Sequence, residues 1–324
     1  MAEIIRKIIR GYNILFHELP DTRTRDWFLV AKPYQGLILL GIYLMFVFKW
    51  GPRWMKNRPA FKMDTAIIIY NAIQMALCTI LFVNSLRFWG WGGSFKWICE
   101  PVDSSNSPDA IVVAKLVYFY FITKVIDLID TVFFVLRKKF NQASFLHVYH
   151  HTGMVLLTWG AITYYPGGHG TFIGVVNSFV HIIMYCYYLL SVAIPSIKNM
   201  LWAKKLVTQL QILQFFLFVV HMSTVIFIPE CKYPRWTSAV FLPQNLFMLI
   251  LFVDFYIKAY VRKPKNQKLK LETDRENKNC PDNNDNSSDM VIVENGLIKK
   301  ENGDGRIEFL IRHRRDSGVN IDRT

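Results

Sequence analysis

Seven runs of predominantly apolar residues, roughly 34–50, 65–86, 112–136, 145–165, 171–193, 206–228 and 237–260, dominate the chain and restrict what it can become. Crossing a bilayer as a helix takes about 20 such residues, with about 17 as a lower limit. Backbone N–H and C=O groups in hydrocarbon must find partners within the chain, so each run is expected as a helix. The fold expected is an all-α membrane protein with seven transmembrane helices in a bundle over 34–262. Residues 1–33 form an N-terminal arm and 263–324 a tail.

Charge sets the orientation. The loop after the first run holds Lys49, Arg53, Lys56, Arg58 and Lys62, that after the third Arg137, Lys138 and Lys139, and that after the fifth Lys198, Lys204 and Lys205. The chain leaving the seventh run adds Arg262, Lys263, Lys265, Lys268 and Lys270. By the excess of Lys and Arg in cytosolic loops, these lie in the cytosol, with the C-terminus cytosolic and the N-terminus lumenal. The opposite loops are poor in cations and carry Trp89, Trp91, Trp97 and Trp236, which suit a membrane interface. The basic N-terminus dissents, and the summed loops outweigh it.

The first 33 residues lack the continuous apolar core of a cleaved signal, so the first run is expected to act as an uncleaved one. Ile4 to Phe16 reads either as an amphipathic helix lying at the interface or as a disordered arm. Cys99 and Cys231 fall in two loops on the oxidising side, where a disulfide would tie loop two to loop six or each could stay separate. Cys78 and Cys186 read as small apolar residues inside runs. The tail, with its Pro281 to Ser288 stretch and few aromatics, reads as disordered and cytosolic, and Cys280 there as inert. It ends in neither a KDEL-type nor a dilysine signal, and no Gly-rich phosphate loop or fixed-period repeat is present.

Polar residues inside apolar runs are expensive, and they gather here in four groups. Lys124, Asp127 and Thr131 share a helical face with Asp130 beside them. The Lys124–Asp127 pair alone reads as a helix-locking ion pair, whereas Asp130, with no cation at helical spacing, is expected to orient an imidazole from another helix. His147, His150 and His151 occupy one turn and can converge on one cavity. Asn177 and His181 lie on a stripe with Met184, Tyr185 and Tyr188, the two tyrosines reading as packing. Thr208, Gln211 and Gln214 form the weakest group and could equally be interhelical glue. His169 and His221 read as solvated. Three close histidines admit a metal site or a reaction centre. A membrane diiron site would need roughly eight histidines, and four are available within the membrane once His221, near the non-cytosolic end of its run, is set aside. Zinc remains arithmetically open, but Lys124 and the carboxamides suit metal-free nucleophilic or general-base chemistry better, so no metal and no cofactor is expected.

These groups together resemble the fatty-acid elongase family of the ELO type over about residues 20–262. Its K-x-x-E-x-x-D-T is matched by Lys124 to Thr131, with Asp127 replacing the glutamate. Its Q-x-x-F-L-H-x-Y-H-H is Gln142 to His151, N-x-x-x-H-x-x-M-Y-x-Y-Y is Asn177 to Tyr188, and T-x-x-Q-x-x-Q is Thr208 to Gln214. The resemblance implies a multi-pass enzyme of the endoplasmic reticulum that condenses a long-chain acyl-CoA with malonyl-CoA to a 3-oxoacyl-CoA, CO2 and CoA. It implies a bundle enclosing an acyl tunnel, and as partners membrane lipid and the reductases and dehydratase of the elongation cycle. A homodimer is compatible with it and a nucleic acid is not expected. Under this reading His150, and second His181, accept the acyl group. His147 and His151 handle protons and polarise the thioester, Asp130 orients one of them, and Asn177 and Gln211 donate hydrogen bonds. Lys124, Asp127, Arg137, Lys139, Gln142, Tyr187, Lys204 and Thr208 would hold substrate, with the CoA phosphates at the cytosolic mouth. The alternative is a non-enzymatic seven-helix lipid transporter or receptor.

Overall fold

The computed structural model describes residues 1–262 and, beyond them, the strand residues 290–294, 297–301, 307–314 and 319–323. The chain divides into two units, Met1–Arg262 and Lys263–Thr324.

The first unit is helical throughout. Helix α1 (Ala2–Asn13) continues through a π turn to Glu18, so the first half of the arm is helical. Ile4, Ile5, Ile8, Ile9 and Tyr12 are all exposed on it, as an interfacial helix requires. Helix α2 (Pro33–Met45) passes through a π turn at Phe46–Trp50 into α3 (Gly51–Met55), which extends the first apolar run by a turn. Then follow α4 (Asp64–Trp89), α5 (Pro108–Ile126), α6 (Leu128–Leu136), α7 (Phe145–Tyr164), α8 (Thr171–Ala193), α9 (Pro195–Lys198), α10 (Leu201–Phe227) and α11 (Arg235–Tyr256).

Among the described residues, five helices are long and apolar enough to cross a membrane: Pro33–Met55, Asp64–Trp89, Gly168–Ala193, Leu201–Phe227 and Arg235–Val261. The other two expected spans are those that carry the charges and the histidine triplet. The third is also not one helix, because the chain breaks at Asp127 between α5 and α6. Large aliphatics such as Leu37, Ile38, Ile73, Ile80, Val83, Leu213 and Ile250 point outward and are more than half or close to half exposed. Only hydrocarbon solvates so much apolar surface without aggregation, and the protein is a multi-pass membrane protein.

Pairwise packing of α4 with α8, α5 with α7 and α10 with α11 builds the bundle. Two local devices place its functional turns. Ser144 caps α7 by accepting from the backbone N–H of His147 at 3.3 Å, so the histidine triplet begins in the first turn. Gly168 opens the turn before α8 with φ of +66°, where a Cβ would sit 2.9 Å from the backbone of Glu100 and Pro101. Only glycine fits that approach without strain. Cys99 and Cys231 are bonded, joining the α4–α5 and α10–α11 connections across 132 residues. Cross-linking a loop of this length removes much unfolded-state entropy, so Cys99→Ser should cost about 2–5 kcal/mol. A melting temperature equal to that of the wild type would contradict this.

The second unit forms a four-stranded antiparallel meander, β1 (Met290–Glu294), β2 (Leu297–Glu301), β3 (Ile307–Arg314) and β4 (Val319–Arg323), in sequence order. The β-branched run Val291-Ile292-Val293 and the Asn295-Gly296 dipeptide are a hairpin signal, and the register pairs Glu294 with Leu297 across it. Residues 263–289, including Cys280, lie outside the described residues.

Candidate active site

Lys124 is the centre of a buried charged network at the α5–α6 break. Its Nζ donates to Asp127 Oδ2 at 2.9 Å and lies 3.5 Å from His181 Nδ1, which is itself 3.9 Å from that oxygen. Lys124 and Asp127 are 4% and 1% exposed, so neither charge could persist without the other. The second oxygen, Asp127 Oδ1, accepts from Tyr185 Oη at 2.9 Å and from Gln74 Nε2. Tyr185 Oη also lies 3.1 Å from Asp130 Oδ2, and one hydroxyl proton serves only one of the two carboxylates at a time. Above the ammonium, Tyr120 turns its ring to Lys124 Nζ at 4.9 Å. Its hydroxyl donates to Asn177 Oδ1 at 2.9 Å, and Asn177 Nδ2 donates to Gln214 at 3.3 Å.

The histidine triplet stands opposite, on α7. His147 and His151 are 4.2 Å apart by ring centroid, and His150 lies 5.5 Å from His151. His147 Nε2 is 2.9 Å from Thr131 Oγ1, which is 2.8 Å from the Tyr43 hydroxyl on α2. Thr131 is thus the residue of this segment in contact with an imidazole, and Asp130 lies against Tyr185. His150 packs edge-on to Phe215 and Phe252, and its Nδ1 is buried with no protein partner. The α5 and α8 groups meet at Lys124 and His181, and the α7 triplet joins α6 through Thr131. No cluster of three or more metal-binding side chains occurs among the described residues.

The outlying residues separate from this centre. Gln211 Nε2 contacts Met184 Sδ at 3.5 Å, and the Thr208 hydroxyl is spent on the Lys204 carbonyl. Arg137 pairs with Asp64 at 3.0 Å, while Gln142 is exposed and Lys204 and Tyr187 half-buried. Lys139 follows Arg137 in the turn after α6. Tyr185, Gln74, Tyr70, Tyr120 and Tyr43 are functional neighbours that sequence reasoning missed. Gln74 carried a usable signal, a carboxamide in the middle of an apolar run.

Beyond Tyr120, away from the triplet, lies a mostly apolar cavity. Met154, Leu157, Thr158 and Ala161 line it along α7, and Trp89, Gly170 and Tyr233 stand at its far end. Burial pushes the Tyr233 hydroxyl up to about 12, so it is a neutral donor there. Next to this end His169 and His221, expected as solvated, are buried instead. Their rings stack at 3.7 Å, and each lies within hydrogen-bond reach of the other's backbone carbonyl, at 2.9 and 3.3 Å.

Comparison with known proteins agrees with this architecture. The model of the GNS1/SUR4 (ELO) family matches residues 28–268. Very long chain fatty acid elongase 4 of Homo sapiens is 36% identical over 287 residues, 88% of either chain. Very long chain fatty acid elongase 7 of Drosophila melanogaster is 37% identical, over 81% of this chain and 79% of its own. The elongase 7 of Rattus norvegicus is 37% identical, over 86% and 97%. The family match contains every residue of the charged network and the histidine triplet, and with relatives at this identity over nearly their whole length the chain belongs to the GNS1/SUR4 (ELO) family.

Proposed function

We propose that this membrane protein is a very long chain fatty acid elongase that condenses a long-chain acyl-CoA with malonyl-CoA through an acyl-imidazole. The observation that carries the reading is Lys124 in contact with both Asp127 and His181, with Tyr120 shared between that ammonium and the apolar cavity and the histidine triplet on the neighbouring α7. A neutral imidazole of His150 attacks the thioester carbonyl, the C–S bond breaks, and CoA leaves with a proton passed through His147 or His151. Malonyl-CoA then loses CO2, and the resulting carbanion attacks the acyl carbon. The C–N bond to His150 breaks, giving a 3-oxoacyl-CoA two carbons longer. Lys124, Asn177 and the Tyr120 hydroxyl are the groups placed to stabilise the developing enolate and oxyanion. His181 is the second candidate acceptor, and Asp130 tunes the network through Tyr185.

Seven spans, with α5–α6 and α7 as the third and fourth, place the basic turns of Arg137, Lys139, Gln142 and Lys204 at a cytosolic mouth suited to the CoA phosphates. The acyl chain extends into the cavity, which serves as its tunnel. The bonded cysteines at the opposite end fit a lumenal face in the endoplasmic reticulum. No cofactor is needed for this chemistry, and the product's 3-oxo group calls for a reductase as the next enzyme. Purified protein given radiolabelled malonyl-CoA and a panel of acyl-CoAs should yield labelled 3-oxoacyl-CoA. Solute flux or ligand-triggered signalling without any condensation would overturn the reading in favour of a transporter or receptor.

A further inference from the structure

Asp127 stands one methylene short of the glutamate in the pattern it otherwise follows, and something must close that gap. We propose that Gln74 is a positioning residue of the condensation site, holding Asp127 and through it Lys124 and His181. The proposal rests on the condensing-enzyme reading and concerns this chain's own departure from the pattern.

The geometry is specific. Gln74 comes from α4, outside all four motifs, and is fully buried. Its Nε2 donates to Asp127 Oδ1 and lies 3.3 Å from Tyr70 Oη and 3.4 Å from Tyr185 Oη. A carboxylate accepts and cannot donate, so the amide must face it with nitrogen. The other end of the amide is left without a partner: Gln74 Oε1 is buried and unbonded. A side chain present only to fill space would not bring an unpaired carbonyl into this interior, so the residue is held by what its nitrogen does. With Oδ1 fixed by Gln74 and Tyr185, the carboxylate plane is set and Oδ2 is aimed at Lys124 Nζ. The ammonium is in turn set 3.5 Å from His181 Nδ1. Loss of the Gln74 donor leaves Oδ1 to Tyr185 alone, whose single proton is also within reach of Asp130, so the carboxylate plane loosens and Lys124 shifts relative to His181. Packing alone would not produce that chain of consequences.

Moving one methylene from one partner to the other tests the idea. Gln74→Asn and Asp127→Glu should each lower kcat about tenfold to a hundredfold, as expected for displacements near 1 Å, with KM for acyl-CoA little changed. The double variant keeps the combined reach and should recover to within about threefold of wild type, a non-additivity expected only of residues in contact. Gln74→Met keeps the volume and removes the donor, so it should fold, with a melting temperature no lower than wild type, and still lose kcat. A Gln74→Asn or Gln74→Met enzyme at the wild-type rate, or a double variant no better than the product of the singles, overturns the proposal. Wild-type protein that makes no 3-oxoacyl-CoA would instead refute the elongase reading, so the two failures are distinguishable.

Discussion

His150→Ala is expected to lower condensation by at least about 10³-fold, the scale on which removal of a nucleophile or its base acts. The four imidazoles are not equivalent in their surroundings. His147 is committed to Thr131, and His181 faces the Lys124 ammonium, which a neutral ring can only accept from. His150 alone among them has a buried ring nitrogen with no protein partner. An imidazole kept in place by Phe215 and Phe252 and not by a hydrogen bond retains its nucleophilic lone pair. Alanine there removes the acceptor and should leave acyl-CoA binding intact, so kcat falls while KM holds. His147→Ala should cost less, because Thr131 and His151 remain to carry protons. Trapping wild type with acyl-CoA alone and mapping the adduct by mass spectrometry provides the second readout. A His150→Ala protein retaining a tenth of wild-type turnover, or an acyl group found on another side chain, would remove His150 from the role.

The elements that the sequence makes legible are those fixed by one-dimensional spacing. Seven apolar runs and the i, i+3, i+4 histidines depend only on helical periodicity, and each of the runs forms helix. The disulfide was open as one of two outcomes, and topology put both cysteines at one end. What escaped depends on neighbours in space. Asp130 lacked a cation along its own helix, which suggested an imidazole, but the partner that reaches it is Tyr185 from α8. Tyr185 itself looked like packing because an aromatic stripe is usually that, and it proves to be the hydroxyl shared by two carboxylates. His169 and His221 lie 52 residues apart, and their mutual stacking has no sequence signature. The break at Asp127 was hidden because a single turn residue interrupts the helix without Pro or Gly to announce it.

The cavity gives the other large effect, because α7 measures distance along it. Met154, Leu157, Thr158 and Ala161 follow one another on the cavity side of the helix that begins with the histidines. At about 1.5 Å per residue, Ala161 lies about 15 Å beyond His151 and Met154 only about 4.5 Å. The far end is tight: a Cβ on Gly170 would come within 2.5 Å of the Tyr233 hydroxyl, and Trp89 Nε1 is tied to Thr171 at 2.8 Å. On the proposed reading, an acyl chain reaching this end would meet these contacts. Ala161→Phe puts a ring across the passage before that point. Each methylene refused costs about 0.8 kcal/mol, so four of them amount to roughly 3 kcal/mol, or about 10²-fold in kcat/KM for the longest acyl-CoA accepted. Shorter acyl-CoAs, whose ends stop nearer Met154, should be elongated at close to the wild-type rate, and the product distribution should shift downward. That pattern differs from simple destabilisation, which would lower turnover of every chain length together. An Ala161→Phe enzyme with an unshifted product distribution would mean that the acyl chain does not run along this face of α7, and the cavity would then need another occupant.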